Sequence, residues 1–254
     1  MGVFGGFKNG DETFYGEVRG EKIHRLTSAP WLGVVDDGAV LSLCDAAIDL
    51  PVAPSKIIAV GLNYADHIAE MKRTPLGTPL IWLKASTSLL PHHGTIEIAY
   101  PEHQTHFELE LGIVMGKRAK NVAIADASHY IFGYTICEDI SDRDVQNAEK
   151  QFARAKSFDT YTPVGPFIHT EVDVSDLPIT LRQNGEVRQG ARTSQMIYSV
   201  AAIVAFASQH LTLLPGDLIL TGTPSGVGPI KEGDRLEGQI GQWPPLENTV
   251  TRAK

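Results

Sequence analysis

The 254-residue sequence predicts a mixed, β-dominated (α+β) fold. Three observations carry that expectation. Apolar and polar residues alternate along many short runs, as they do in half-buried strands. Asn184-Gly185 sits between two such runs, "PITLRQ" and "EVRQGAR", as the favoured two-residue hairpin turn. Few stretches carry helical spacing, and no regular strand–helix–strand repeat appears.

Residues 1–53 read as a small N-terminal β-rich domain of short strands ("FYGEVRG", "KIHRLTS", "LSLCDAAIDL") punctuated by Asn9-Gly10 and Asp36-Asp37-Gly38. "PVAPSK" (51–56) reads as a linker, so a larger domain is expected over 54–254. In it, "KIIAVGLNY" is a buried strand, "ADHIAEMKR" a helix before a Pro/Gly-rich loop, and "LIWLKAS" a further strand. "HFELELGIVMGK" (106–117) reads as one strand and "FGYTICEDI" as another, with a helix expected from "SDRDVQ". Ser194 is positioned to cap the apolar helix "QMIYSVAAIVAFASQHL". "GDLILTGTPSGVG" is a strand entering a Gly/Pro loop, and "DRLEGQIGQWPPLENTVTRA" adds strand and turn.

A hydrophobic content of 43% with 20% charged residues describes an ordinary globular chain. The net charge of -8 argues against nucleic acid and against anionic membranes as partners. Cys44 and Cys137 form no disulfide or zinc pattern. The first residues lack a basic segment followed by an apolar core, and no apolar helical run is long enough to span a bilayer, so a soluble, cytoplasmic protein is expected.

The chemistry concentrates in a few places. In "HFELELGIVMGK" the two-residue period puts His106, Glu108 and Glu110 on one strand face. Two carboxylates about 5 Å apart repel by roughly 3 kcal/mol at an effective dielectric near 20. The face is either an ordinary solvated one or a place for a cation, with Asp139, at the end of "YTICED", as a third acid. Such oxygen ligands suit Mg²⁺ or Mn²⁺ better than zinc, and His106 is a possible fourth member. Arg143 and Gln146 share a helix face; Arg143 either enters this site or pairs with Asp142 or Asp144 at the surface. His67 and Glu70 also share a face, either as a surface pair or as a histidine base oriented by a carboxylate. Lys156 taken alone is a surface lysine, and "TGTPSGVG" is a candidate carboxylate-holding loop that lacks the P-loop signature.

In order along the chain, "GLNYADHIAEM", "HFELELGIVMGKRA", "GYTICEDISDRDVQ", "AKSFDTYTPVGPF", "NGEVRQ" and "PGDLILTGTPSGVG" resemble the fumarylacetoacetate hydrolase family, over roughly residues 56 to 250. The match is closest to its small branch of acylpyruvate hydrolases and oxaloacetate decarboxylases. The resemblance implies a rolled, multi-sheet β-structure with flanking helices, assembled as a homodimer. It implies a Mg²⁺ or Mn²⁺ site on Glu108, Glu110 and Asp139, and substrate contacts from Arg143, Gln146 and Thr223. It implies catalytic roles for Lys156 and for a His67/Glu70 pair on a lid, the stretch 64–79 being expected to move. Trp82, Tyr161 and the loop "EMKRTPLGT" are candidate pocket walls. The implied activity is metal-dependent cleavage of C–C bonds in 2-oxo or 1,3-diketo acids through a cation-stabilised enolate, by acylpyruvate hydrolysis, oxaloacetate decarboxylation or both. The alternatives are isomerisation or decarboxylation of 2-hydroxyhepta-2,4-diene-1,7-dioate-type diacids, and, more remotely, a non-catalytic metal- or carboxylate-binding protein.

Overall fold

The computed structural model describes residues 1–74, 77–149 and 151–253, and it is mostly strand. Its largest sheet has twelve strands. Across it run Asp36–Ser42, Lys22–Leu26, Glu12–Arg19, Val3–Asn9, Thr162–His169, Ile131–Glu138, Leu109–Met115, Leu218–Leu220, Ile57–Gly61 and Leu80–Lys84, with two short strands attached to its flanks. The N-terminal strands therefore continue the main sheet: Val3 pairs with His169 and Phe4 with Ile168. A five-stranded sheet orders Glu186–Arg192, Pro178–Gln183, Arg235–Ile240, Leu246–Arg252 and Thr95–Ile98. A small three-stranded sheet joins Ser141–Asp142, Thr105–Phe107 and Gly228–Pro229.

The alternation in the sequence becomes layering. Leu109, Leu111 and Ile136 of the large sheet bury against Ile179, Leu181 and Leu236 of the five-stranded sheet. Further along the large sheet, Ile58, Ile113 and Ile219 pack against Ile203, Val204 and Ala207 of the helix Val200–His210. Each of these leucine, isoleucine and valine side chains contributes roughly 1.5–3 kcal/mol by leaving water. Phe7, Ile23 and Phe167 close a separate cluster where the N-terminal strands meet Thr162–His169 within the same sheet. The hairpin forms at Asn184-Gly185, where both residues take positive φ (54° and 85°), as a turn matching the strand twist requires.

Two expected elements are corrected. The run from His106 to Lys117 is not one strand: Thr105–Phe107 belongs to the three-stranded sheet and Leu109–Met115 to the large one. The chain changes sheets at Glu108, whose carbonyl accepts from the Asp139 amide at 2.9 Å. The apolar helix begins at Val200, capped by Ser199 rather than Ser194. Asn63 holds the preceding residues outside the helix: its carbonyl oxygen accepts from Ile197 N at 2.8 Å, and its Oδ1 accepts from Tyr198 N at 2.7 Å. Ser194 instead donates to Asp176.

Candidate active site

The two strands that carry the acids are antiparallel neighbours, with Leu109 opposite Glu138 and Glu110 opposite Cys137. That register delivers Glu108, Glu110 and Asp139 to one point, each essentially buried, with one carboxylate oxygen from each within 4.8 Å of the others. Leu218–Leu220 flanks Leu109–Met115 on its other side and ends in the "TGTPSGVG" loop. There Gly222 donates its amide to Glu110 Oε2 at 2.6 Å. Gly222 has φ 94°, and a Cβ on it would lie 2.7 Å from Asn63 Cβ, so only glycine fits.

Cations surround the acids. Lys156 donates to Asp139 Oδ2 at 2.6 Å, Glu108 Oε2 at 2.7 Å and the Ser141 hydroxyl at 2.7 Å. Arg143 pairs with Glu108 and, at 2.8 Å, donates to Gln146 Oε1. Lys84 pairs with Asp139 and donates to the Tyr161 carbonyl at 2.8 Å. Two of the three carboxylates, Glu108 and Asp139, thus meet three cations, and the surface pairing of Arg143 with Asp142 or Asp144 does not form. Asp142 accepts from His103 instead, and Asp144 from the Gln104 amide.

The charges are not shared evenly. Burial would raise the Glu108 carboxyl, but Arg143 and Lys156 outweigh burial and hold it below the ordinary range. Glu110 lies well above that range, pushed up by burial and then by Asp139 and Glu108. Burial lowers Lys84 despite Asp139, while Asp139 and Glu108 overcome burial to raise Lys156. Glu110 is therefore the acid that the surrounding cations leave uncompensated, and in the absence of a cation it tends to keep its proton. A buried trio of hard oxygen donors fits Mg²⁺ or Mn²⁺ by donor chemistry. His106 is not part of that trio: its Nδ1 is buried without a partner among the described residues, and burial, then Arg143, lowers its pKa to about 4.

Glu108 and Glu110 floor a small cavity of about 40 Å³. His67, Arg143, Gln146, Lys156 and Thr223 line it, and so does Trp82, as expected of a pocket wall. Tyr161 is fully buried away from this lining, with its hydroxyl accepting from the Ala99 amide. His67 sits on the short helix Ala65–Glu70, with Nδ1 at 3.0 Å from Glu70 Oε2. Glu70 Oε1 also accepts from the Gly226 amide at 3.0 Å, and Ser225 donates to Asp66 at 2.6 Å. The loop that braces Glu110 thus also docks the helix carrying His67. Pro75 and Leu76 of the expected lid loop lie outside the described residues.

Sequence reasoning missed three residues. Lys84 closes an apolar strand, and a buried lysine there was the available signal. Gln189 ends the "NGEVRQ" motif; it accepts from Leu109 N at 3.0 Å and donates to Thr223 Oγ1 and the Pro224 carbonyl, both at 2.8 Å. Asn63 donates to the Tyr198 carbonyl at 3.1 Å and the Thr221 carbonyl at 2.7 Å, tying the base of the helix to the glycine loop.

Among the described residues no helix is long and apolar enough to cross a membrane. The family model for the fumarylacetoacetate hydrolase C-terminal domain matches residues 56–251. The human protein named oxaloacetate tautomerase FAHD1, mitochondrial, is 44% identical over 190 residues, covering 72% of this chain and 86% of its own. A solved 2-hydroxyhepta-2,4-diene-1,7-dioate isomerase from Mycobacterium marinum superimposes with a TM-score of 0.92 at 38% identity over 99% of both chains. Fumarylpyruvate hydrolase from Pseudomonas aeruginosa, solved with Mn²⁺ and pyruvate, gives a TM-score of 0.74 at 32% identity, covering 80% of this chain and 91% of its own. The site and these likenesses agree: the chain belongs to the fumarylacetoacetate hydrolase family.

Proposed function

We propose that this protein is a divalent-metal-dependent enzyme that cleaves C–C bonds of 2-oxo or 1,3-diketo acids, by acylpyruvate hydrolysis, oxaloacetate decarboxylation or both. The observation that carries this reading is the meeting, in one cavity, of three buried carboxylates, the Lys156 ammonium and the His67–Glu70 pair. The Mn²⁺ and pyruvate in the P. aeruginosa structure support it by showing a relative holding a dication and a 2-oxo acid.

Glu108, Glu110 and Asp139 would hold Mg²⁺ or Mn²⁺. When bound, the cation supplies Lewis-acid polarisation of a 2-oxo acid's oxygens. Lys156, with its Nζ 5.1 Å above the Trp82 ring, places a fixed positive charge where an enolate develops as the C–C bond breaks. Arg143 and Gln146 line the same wall and present donors to a substrate carboxylate, and Thr223 is held beside them by Gln189. His67 has Nδ1 committed to Glu70, which leaves Nε2 to take a proton from water. That water attacks the distal carbonyl in hydrolysis. Decarboxylation needs no such attack, because loss of CO₂ yields the enolate directly.

The M. marinum likeness favours a second reading, isomerisation or decarboxylation of 2-hydroxyhepta-2,4-diene-1,7-dioate-type diacids, which can use the same residues. One experiment separates the readings. Rates on acetylpyruvate, oxaloacetate and a dienoic diacid are measured with Mg²⁺, with Mn²⁺ and after chelation, for wild type and Glu108→Ala. Metal- and Glu108-dependent turnover of either of the first two supports the main reading, and turnover of the diacid alone supports the second. Activity that survives both chelation and Glu108→Ala would defeat both.

A further inference from the structure

The cavity's polar inventory is unevenly spent. At its floor the cations and acids answer one another: Lys156 and Arg143 are both engaged by Glu108, and Lys84 by Asp139. A further cation, Arg73, lines the same cavity. Among the described residues its guanidinium has no hydrogen bond or ion pair. The acids of the neighbouring helix are occupied, Glu70 by His67 and Gly226, and Asp66 by Ser225. A second unspent donor is Trp82, whose ring lines the cavity and whose buried indole N–H has no acceptor among the described residues.

Arg73 is not placed by chance. The helix Ala65–Glu70 ends in a paired turn: Lys72 takes φ 51°, its amide donates to Ala69 O at 3.1 Å, and the Arg73 amide donates to Ile68 O at 3.1 Å. That is the hydrogen-bond pattern of a Schellman cap, which fixes the backbone of the residue three beyond the helix end. The rest of the wall is largely apolar, with Val60, Leu62, Met71 and Phe152. An elongated ligand would find cations and carboxylates at the floor, carbon along the wall, and unclaimed donors elsewhere on the lining.

We infer that Arg73, with the Trp82 N–H beside the apolar wall, selects 2-oxo acids that carry a second, terminal carboxylate. The inference rests on the proposed reading of the floor as the place where the 2-oxo acid end is held. Arg73 would act as a specificity-determining residue, with no part in bond cleavage. Because its side chain is exposed, water and salt weaken the ion pair, and the expected preference is moderate.

The test measures binding, using stable ligand pairs of equal carbon number: 2-oxoglutarate against 2-oxopentanoate, and 2-oxoadipate against 2-oxohexanoate. Calorimetry is run on the full chain with Mn²⁺. Wild type is expected to bind a diacid roughly two- to fivefold more tightly than its monoacid partner at low salt. Arg73→Ala should equalise the pair without weakening the monoacid, and Arg73→Lys should keep part of the preference. Trp82→Phe, which keeps the ring wall, should weaken the diacid more than the monoacid. Equal affinities in wild type, or a preference that survives Arg73→Ala, would overturn the inference and leave the reading of the floor standing. If neither member of either pair binds in the presence of Mn²⁺, the reading of the floor fails and the inference goes with it.

Discussion

The Lys156 ammonium lies 2.6 Å from Asp139 and 2.7 Å from Glu108, so one buried cation touches two of the three acids. Removing it strands negative charge where water cannot help. Lys156→Ala should cost the metal-free protein roughly 3–5 kcal/mol, as broken buried pairs do, and lower Tm by roughly 5–15 °C. Added Mn²⁺ should recover much of that loss by supplying the missing charge. Thermal melts with and without Mn²⁺ check this, and equal melting temperatures for variant and wild type without metal would contradict it.

His67 and Glu70 act on water in the proposed mechanism, and that limits where their loss should be felt. His67→Ala should slow acylpyruvate hydrolysis by roughly 10²–10⁴-fold, the usual worth of a general base. Oxaloacetate decarboxylation should fall far less. Glu70→Gln, which keeps a hydrogen-bonding side chain beside Nδ1, should give a smaller loss on hydrolysis alone. Parallel rates on the two substrates decide the point.

Gln189 belongs to the five-stranded sheet yet holds Leu109 and Thr223 in the site. In Gln189→Ala the buried Leu109 amide and Pro224 carbonyl lose their side-chain partner, at roughly 1–3 kcal/mol for each group left unsatisfied. The variant should unfold at lower denaturant and bind 2-oxo acids more weakly, because Thr223 loses its support. Denaturant midpoints and ligand titrations on the same preparation test both consequences.

His169 stacks on Trp243 with ring centroids 4.4 Å apart, and burial lowers its pKa to about 4. An unfolded histidine titrates near 6.5, so above that pH neither state binds a proton and stability is unaffected. Between about 6.5 and 4 the unfolded chain takes up a proton that the folded chain refuses, and stability falls as pH drops, by at most about 3 kcal/mol. His169→Phe keeps a stacked ring and removes the titration. It should flatten the fall in unfolding free energy between pH 6.5 and pH 4, as denaturation across that range would show.

What the sequence disclosed was local or periodic. The Asn184-Gly185 hairpin follows from two adjacent residues, and the paired carboxylates from a two-residue alternation. Arg143 and Gln146, three residues apart on the helix Arg143–Glu149, meet through a 2.8 Å hydrogen bond. What stayed hidden depends on partners far along the chain. Lys84 answers Asp139 across 55 residues, Gln189 answers Leu109 across 80, and Asn63 answers Tyr198 across 135. The last of these also explains the misplaced helix start. Local signals around Ser194 suit a cap, but a distant asparagine offers the backbone of Ile197 and Tyr198 partners outside the helix.

Pairing of Val3 and Phe4 with His169 and Ile168 has a consequence for self-association. The strand Thr162–His169 is apolar over much of its length and wholly buried. Without its N-terminal neighbour it would offer unpaired amides and carbonyls along an apolar edge, a template on which a strand of another molecule can add. Phe7, which packs on Phe167 from the same N-terminal strand, shields the side chains along that edge. The opening segment thus insulates the sheet, and a chain shortened to begin after it would expose a surface prone to aggregate.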